Sequence, residues 1–276
     1  MRIALCNEVL GDMPLQAQCE YAASLGYDGL EIAPFTLSDS PETISTAEAA
    51  RIRRVVEASG LIVTGLHWLL IKPEGLSLTD PDATVRGRTV DVMIRLTALC
   101  AELGGAVLVH GSPAQRQIAP GESHAMALAR VRDGLAQVAE AAAKAGVIYC
   151  IEPLSRQQTP LVNTIAEAAD VVRSIGQSSL RTMIDCSAAG LTETAPIAEL
   201  IDRWHPTGLI AHIQVNDPNR RGPGQGDMKF APILAALKRN HYAGTIAVEP
   251  FDYFPDGRSA AALSAGYLCG LREALA

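Results

Sequence analysis

The chain has 276 residues, 48% of them hydrophobic, and a formal net charge of −7. This length suits one α/β domain over 1–276, since no Pro-, Gly- or Ser-rich stretch reads as a linker and the apolar content is enough for a sizeable core. The acidic balance, without any run of Lys and Arg, argues against a nucleic-acid partner, which needs a basic face; no apolar run approaches the roughly 18 residues of a membrane span, so no membrane association is expected.

Short apolar runs alternate with longer stretches of helical period. In chain order the predicted strands are 3–6, 29–32, 62–67, 106–110, 147–151, 182–184, 209–214 and 245–248. The stretch 126–145 shows Ala, Leu and Val at i, i+3 and i+4 spacing, which predicts a helix. Thr164 with Glu167 three residues on is a capping-box start. Gly26, Gly60 and Gly146 each stand between a helical stretch and the next strand, as left-handed caps do. Six cysteines show no CxxC pair, and the N-terminal Met-Arg-Ile-Ala-Leu-Cys-Asn-Glu enters a strand without a signal-peptide pattern. Reduced, buried thiols in a cytoplasmic protein are therefore expected. Eight strands alternating with eight helices predict a (β/α)8 TIM barrel. An open doubly wound sheet is the alternative. It would usually carry a glycine-rich phosphate turn after the first strand, where this chain reads Cys-Asn-Glu-Val-Leu-Gly.

Four polar residues close successive apolar runs in the second half: Glu152, Asp185, Gln214 and Glu249. A carboxylate at the end of a buried strand is costly unless compensated. In a barrel these four converge at the C-terminal face, where active sites lie. Alone, each could be a helix cap or half of an ion pair. Together their oxygens form a ligand set suited to Mg²⁺ or Mn²⁺, with Co²⁺ a further option. His212 competes with Gln214 for the fourth place, because period-2 alternation points both the same way, but His212 lies two residues deeper. Arg220, in the polar loop after the seventh strand, can bind substrate oxygens in a bidentate way; for Arg221 or Arg220 alike the bland alternative is a solvated charge. Gly224 and Gly226 are expected to shape that loop's turn. Glu8, His67 and His110 end strands one, three and four and are candidates to line a substrate pocket, with Trp68 as an apolar wall.

Four motifs carry a resemblance over essentially the whole chain. They are Ile-Glu152-Pro-Leu, Met-Ile-Asp185, His212-Ile-Gln214-Val-Asn-Asp with Arg220 and Pro-Gly-Gln-Gly, and Val-Glu249-Pro. Jointly they resemble the xylose isomerase-like superfamily of sugar isomerases and epimerases. The resemblance implies a divalent metal held by Glu152, Asp185, Gln214 and Glu249, a sugar substrate and a homodimer or homotetramer. Ketose 3-epimerases usually have His where Gln214 stands, whereas hydroxypyruvate isomerase-like members have His-Ile-Gln as here. Two further departures from the ketose 3-epimerases are Ala188, where they place a substrate-binding His, and Gln158, where they place a second Glu. The expected activity is isomerisation or epimerisation of a keto sugar through an ene-diolate, with Glu152 and Glu249 as the acid/base pair. Gln158 and His212 join Arg220, His67, His110 and Glu8 as expected substrate-binding residues. A lyase or dehydratase could use the same site, and a non-catalytic sugar-binding barrel is the reading from a different class. An endonuclease acting at abasic sites fits poorly, since it needs several metals and a His-rich site.

Overall fold

The apolar, partly β-branched runs form eight parallel strands in a computed structural model that describes residues 1–275. These are β1 (Arg2–Cys6), β2 (Gly29–Ile32), β3 (Ile62–Leu66), β4 (Val107–His110), β5 (Ile148–Ile151), β6 (Leu180–Asp185), β7 (Ile210–Val215) and β8 (Thr245–Val248). Each pairs with its sequence neighbours. The sheet closes because β1 also pairs with β8, Arg2 opposite Thr245 and Leu5 opposite Val248. The predicted barrel is thus the observed one, and every predicted strand overlaps an observed strand.

Among the described residues nine α-helices surround the barrel: α1 (Leu15–Ser24), α2 (Thr46–Ala58), α3 (Ala83–Leu103), α4 (His124–Ala145), α5 (Ile165–Ile175), α6 (Cys186–Thr192), α7 (Ile197–Trp204), α8 (Phe230–Arg239) and α9 (Gly257–Ala274). The Thr164–Glu167 capping box opens α5 as expected. Gly146, at φ 72°, closes α4 in the left-handed conformation that glycine adopts without steric cost. The element beyond the expected eight is α6. It begins immediately after β6, where the Asp185 carboxylate accepts from the Ala188 amide.

Strand parity divides the interior into two apolar sets. Val107, Val109, Cys150 and Met183 form one small cluster. The alternate residues Leu108, Tyr149, Ile151 and Ile184 belong to the larger core that includes the helices' buried residues. Residues of the first parity therefore face the lumen, and the next lumen position on β5 and β6 is Glu152 and Asp185. No helix among the described residues is long and apolar enough to cross a membrane. The six cysteines are free, five of them buried.

Candidate active site

The C-terminal ends of the strands enclose a cavity of about 360 Å³ whose lining includes Glu152, Asp185, Glu249, Arg220, Gln158 and Trp68. Two of these positions carry left-handed backbone, which is uncommon for residues with a side chain: Trp68 at φ 49° and Arg220 at φ 72°. Trp68 is held edge-on between Phe35 and Phe251, each ring centre 5.5 Å away. The guanidinium of Arg220 lies over the Phe251 ring at 5.4 Å, while its backbone accepts from the Phe251 amide. Arg221 pairs with Asp252 at 2.8 Å and lies over the Phe254 ring at 4.3 Å, so of the two loop arginines it is the one tied down and Arg220 is the more exposed.

Asp185 is fixed twice. Its Oδ1 accepts from the Ala188 amide at 2.7 Å, and its Oδ2 accepts from Asn216 Nδ2 at 2.7 Å. Asn216 also donates to the Glu249 carbonyl and accepts from the Ser187 amide, so one buried amide ties the ends of β6, β7 and β8. Glu152 packs so tightly on Gly111 that a Cβ there would lie 1.7 Å from its Oε2. Beneath it, fully buried Arg116 donates to the Glu152 carbonyl at 3.0 Å. Burial pulls Arg116 down to about 10, against the opposing pull of the Glu152 charge. The loop after β7 is pinned by Asp217, which accepts from the amides of Asn219 and Met228. Gly226 lies against that carboxylate, where any Cβ would come within 2.3 Å. Its role is thus close packing within the turn, and Gly224, at φ 85°, supplies a left-handed step in it.

Burial, together with the charges of Asp185 and Glu249, pushes the Glu152 carboxyl well above the usual carboxylate range. Burial raises Asp185 to about 6. It raises Glu249 to about 8, although His67 hydrogen-bonds that carboxylate and partly offsets the shift. Burial and mutual repulsion thus make these carboxylates hard to ionise together.

His67 is wholly buried and bridges two acids, Nδ1 to Glu249 at 2.8 Å and Nε2 to Glu8 at 2.9 Å. Burial opposes a charged imidazole there, but the surrounding acidic groups, Cys6 and Glu8 foremost, raise its pKa well above the usual histidine value. Donor atoms of Cys6, Glu8, His67 and Glu249 all lie within 4.8 Å of one another. With both ring nitrogens already facing carboxylates, this set supports Glu249 better than it would hold an ion.

Gln214 stands level with Asp185 in the β6–β7 register. It is fully buried and donates from Nε2 to Glu31 Oε1 at 2.9 Å, leaving its own Oε1 without a partner. His212, one lumen layer below, lies with Nε2 2.7 Å from Glu31 Oε2. Burial alone would raise the Glu31 carboxyl, yet His212 and Gln214 hold it below its ordinary value.

The cavity thus gathers Glu152, Asp185, Glu249, Arg220 and Gln158, while Gln214 lies buried at the level of Asp185. Glu8, His67 and His212 lie outside the cavity lining, His67 hydrogen-bonded to Glu8 and Glu249 and His212 at ion-pair distance from Glu31. His110 is placed differently from the expectation. Strand parity gives it the side of Leu108, away from the lumen, where its Nδ1 meets the Tyr149 hydroxyl at 2.9 Å. Burial and the nearby Arg116 charge push its pKa well below the usual value. Gln158 faces the cavity, but its Oε1 is occupied by the amide and hydroxyl of Ser155. Sequence reasoning missed Glu31, Arg116 and Asn216. Glu31 did carry a signal, a lone charge inside the four-residue apolar strand Gly-Leu-Glu-Ile.

An all-oxygen cation site fits these residues. Three buried carboxylates repel one another, with Arg116 and His67 offsetting only part of the cost, and Gln214 Oε1 is a buried acceptor with no partner.

Comparison with known proteins places the chain beside sugar epimerases. The chain is 29% identical over 243 residues to the D-psicose 3-epimerase of Agrobacterium fabrum, covering 84% of this chain and 78% of that one. A solved D-psicose 3-epimerase structure superposes with a TM-score of 0.84 at 24% identity, covering 100% of this chain and 99% of the other. The 3-keto-D-glucoside 4-epimerase of E. coli superposes with a TM-score of 0.82 at 21% identity, covering 99% of both. The family model described as a xylose isomerase-like TIM barrel matches residues 19–268. By this match, which the barrel fold accompanies, the chain belongs to the xylose isomerase-like TIM-barrel family.

Proposed function

We propose that the protein is a divalent-metal-dependent epimerase or isomerase of a keto sugar. The observation that carries this reading is the convergence of Glu152, Asp185 and Glu249 on one cavity, with the orphan oxygen of Gln214 buried at the same level. Glu152, Asp185, Glu249 and Gln214 would hold the ion, Mn²⁺ or Mg²⁺ by their oxygen chemistry. When bound, such an ion supplies Lewis acidity that lowers the pKa of the carbon-bound proton next to the substrate carbonyl. Glu152 and Glu249 would divide the proton exchange: the ionised carboxylate takes the carbon-bound proton and keeps it, while the other, protonated, delivers its own proton to the opposite face in epimerisation or to the neighbouring carbon in isomerisation.

Among the described residues Arg220 is the one cationic side chain in the cavity lining, and it lies over the Phe251 ring. A neutral keto sugar suits this lining better than a phosphorylated one, which calls for a cluster of cationic donors. The buried free cysteines suit a reducing, cytoplasmic setting. The assembly we expect is a homodimer or homotetramer, which light scattering on the purified protein would determine.

The test is hydrogen exchange in D₂O with metal-loaded protein and a panel of keto sugars, followed by NMR. Deuterium entering beside the carbonyl, and ceasing when EDTA is added, is the expected result. Glu152→Gln and Glu249→Gln should each lower turnover by at least about 10²-fold while melting like the parent; near-normal exchange in either variant would remove that residue from the acid/base pair.

A further inference from the structure

A glutamine at a cation site has two faces that are nearly equal in shape and opposite in chemistry. Its carbonyl oxygen is a ligand for a hard cation, and its NH₂ group is not. Something must therefore decide which end points at the ion. A histidine in this position would not raise that question, because an imidazole can present a ring nitrogen whichever way it is protonated elsewhere.

The side chain in contact with the Gln214 amide is Glu31, on β2 across the lumen. It has no exposed surface, and its Oε1 accepts from Gln214 Nε2 at 2.9 Å. A carboxylate offers this amide only acceptors, so it binds the NH₂ end and turns the oxygen away from itself. The released atom, Gln214 Oε1, is buried, has no partner and stands on the residue level with Asp185. The other Glu31 oxygen lies 2.7 Å from His212 Nε2, two residues along the same strand and on the same face. The Nε2 of His212, the rival for the fourth ligand position, thus stands at ion-pair distance from Glu31.

We propose that Glu31 is a positioning residue that selects the oxygen face of Gln214 for the cation site and holds His212 out of it. The proposal rests on the metal reading given above and deepens it. It makes Glu31 and Gln214 one functional pair, in which a buried acceptor is the condition for using a glutamine as ligand.

The pair can be reversed. In E31Q the new amide can donate to Gln214 Oε1, so the selection is lost and Gln214 can turn its NH₂ toward the ion. In E31Q/Q214E the hydrogen bond runs the other way, from the position 31 amide to the position 214 carboxylate, and an oxygen is again free for the ion. The experiment is calorimetric titration of metal-stripped wild type, E31Q and E31Q/Q214E with Mn²⁺, alongside metal-free melting of each. The expected result is a loss of about 10- to 100-fold in Mn²⁺ affinity in E31Q, the size typical when a residue orienting a ligand is removed, with recovery in the double variant to within a few-fold of wild type. Wild type that binds no Mn²⁺ would overturn the metal reading and this proposal together. Equal Mn²⁺ affinity in wild type and E31Q would overturn the proposal alone. Weak binding in E31Q that persists in a folded double variant would also overturn it, because Glu31 would then matter only for the fold.

Discussion

Position 111 shows how one missing methyl group sets the chemistry. Glu152 Oε2 lies where the Cβ of any other residue at position 111 would stand, 1.7 Å from the ideal Cβ site. The obstructing atom is the end of a flexible side chain rather than backbone, so Gly111→Ala can be accommodated by swinging the carboxylate aside. The change should therefore cost little stability and much activity. Displacing a catalytic group by about 1 Å can cost on the order of 10²-fold in rate, and we expect a fall of that size in kcat with a melting temperature within a few degrees of the parent. Measuring kcat and thermal unfolding on the same preparation checks this; a variant with parental kcat would mean that Glu152 does not need its observed place. Glu249 is held by a partner instead of a close fit, since His67 bonds it from one side and Glu8 bonds His67 from the other. The two proposed acid/base carboxylates are thus positioned by different means, one by steric fit and one by hydrogen bonding.

Asn216 does between elements what Gly111 does for one side chain. Its three hydrogen bonds join the Asp185 carboxylate on β6, the Ser187 amide in α6 and the Glu249 carbonyl after β8. Asn216→Ala removes the hydrogen bonds of a buried carboxylate oxygen, a buried amide and the Glu249 carbonyl, and each such group left unsatisfied costs about 1–3 kcal/mol. It should lower the melting temperature and weaken Mn²⁺ binding about 10-fold or more, both readable from metal-free and metal-titrated melting curves. A variant with unchanged metal affinity would reduce Asn216 to a structural clamp. These ties also explain what could be read from the chain alone. The strands were legible because short apolar runs end at glycines or polar residues, and Glu152, Asp185 and Glu249 stood out because each interrupts such a run. Glu31 and Gln214 are 183 residues apart, and Arg116 acts on Glu152 across 36, so neither contact leaves a local pattern. The short helix α6 escaped notice because it starts with no loop after β6, its cap doubling as a proposed metal ligand. His110 was misplaced by a single step of parity: it follows an apolar run as Glu152 does, but on the face of the strand away from the lumen.

At the scale of the whole barrel, these buried acids make stability depend on pH in a direction that a cation should reverse. Asp185 rises from 3.8 to about 6 and Glu249 from 4.5 to about 8 on folding, and Glu152 moves the same way. Between the unfolded and folded values the native state holds more protons than the unfolded chain. Stability then falls as pH rises, by up to about 1.4 kcal/mol per pH unit for each excess proton. His67, also raised, adds the same sign above its ordinary value of 6.5. Glu31 and His110 are lowered and act oppositely, at more acidic pH. A divalent ion would bind these carboxylates deprotonated, in competition with the protons that burial favours, so its contribution must grow as the protons leave. The quantity to measure is the difference in melting temperature between Mn²⁺-loaded and metal-free protein from pH 5 to pH 8.5. That difference largely cancels Glu31 and His110, which are not among the proposed oxygen ligands. We expect it to be small at pH 5 and to widen steadily through pH 8, since ligand at 100 times its dissociation constant adds about 2.7 kcal/mol. A difference that stays flat across the range would mean that these carboxylates do not release protons to admit the ion, and the ligand set would have to be sought elsewhere in the barrel.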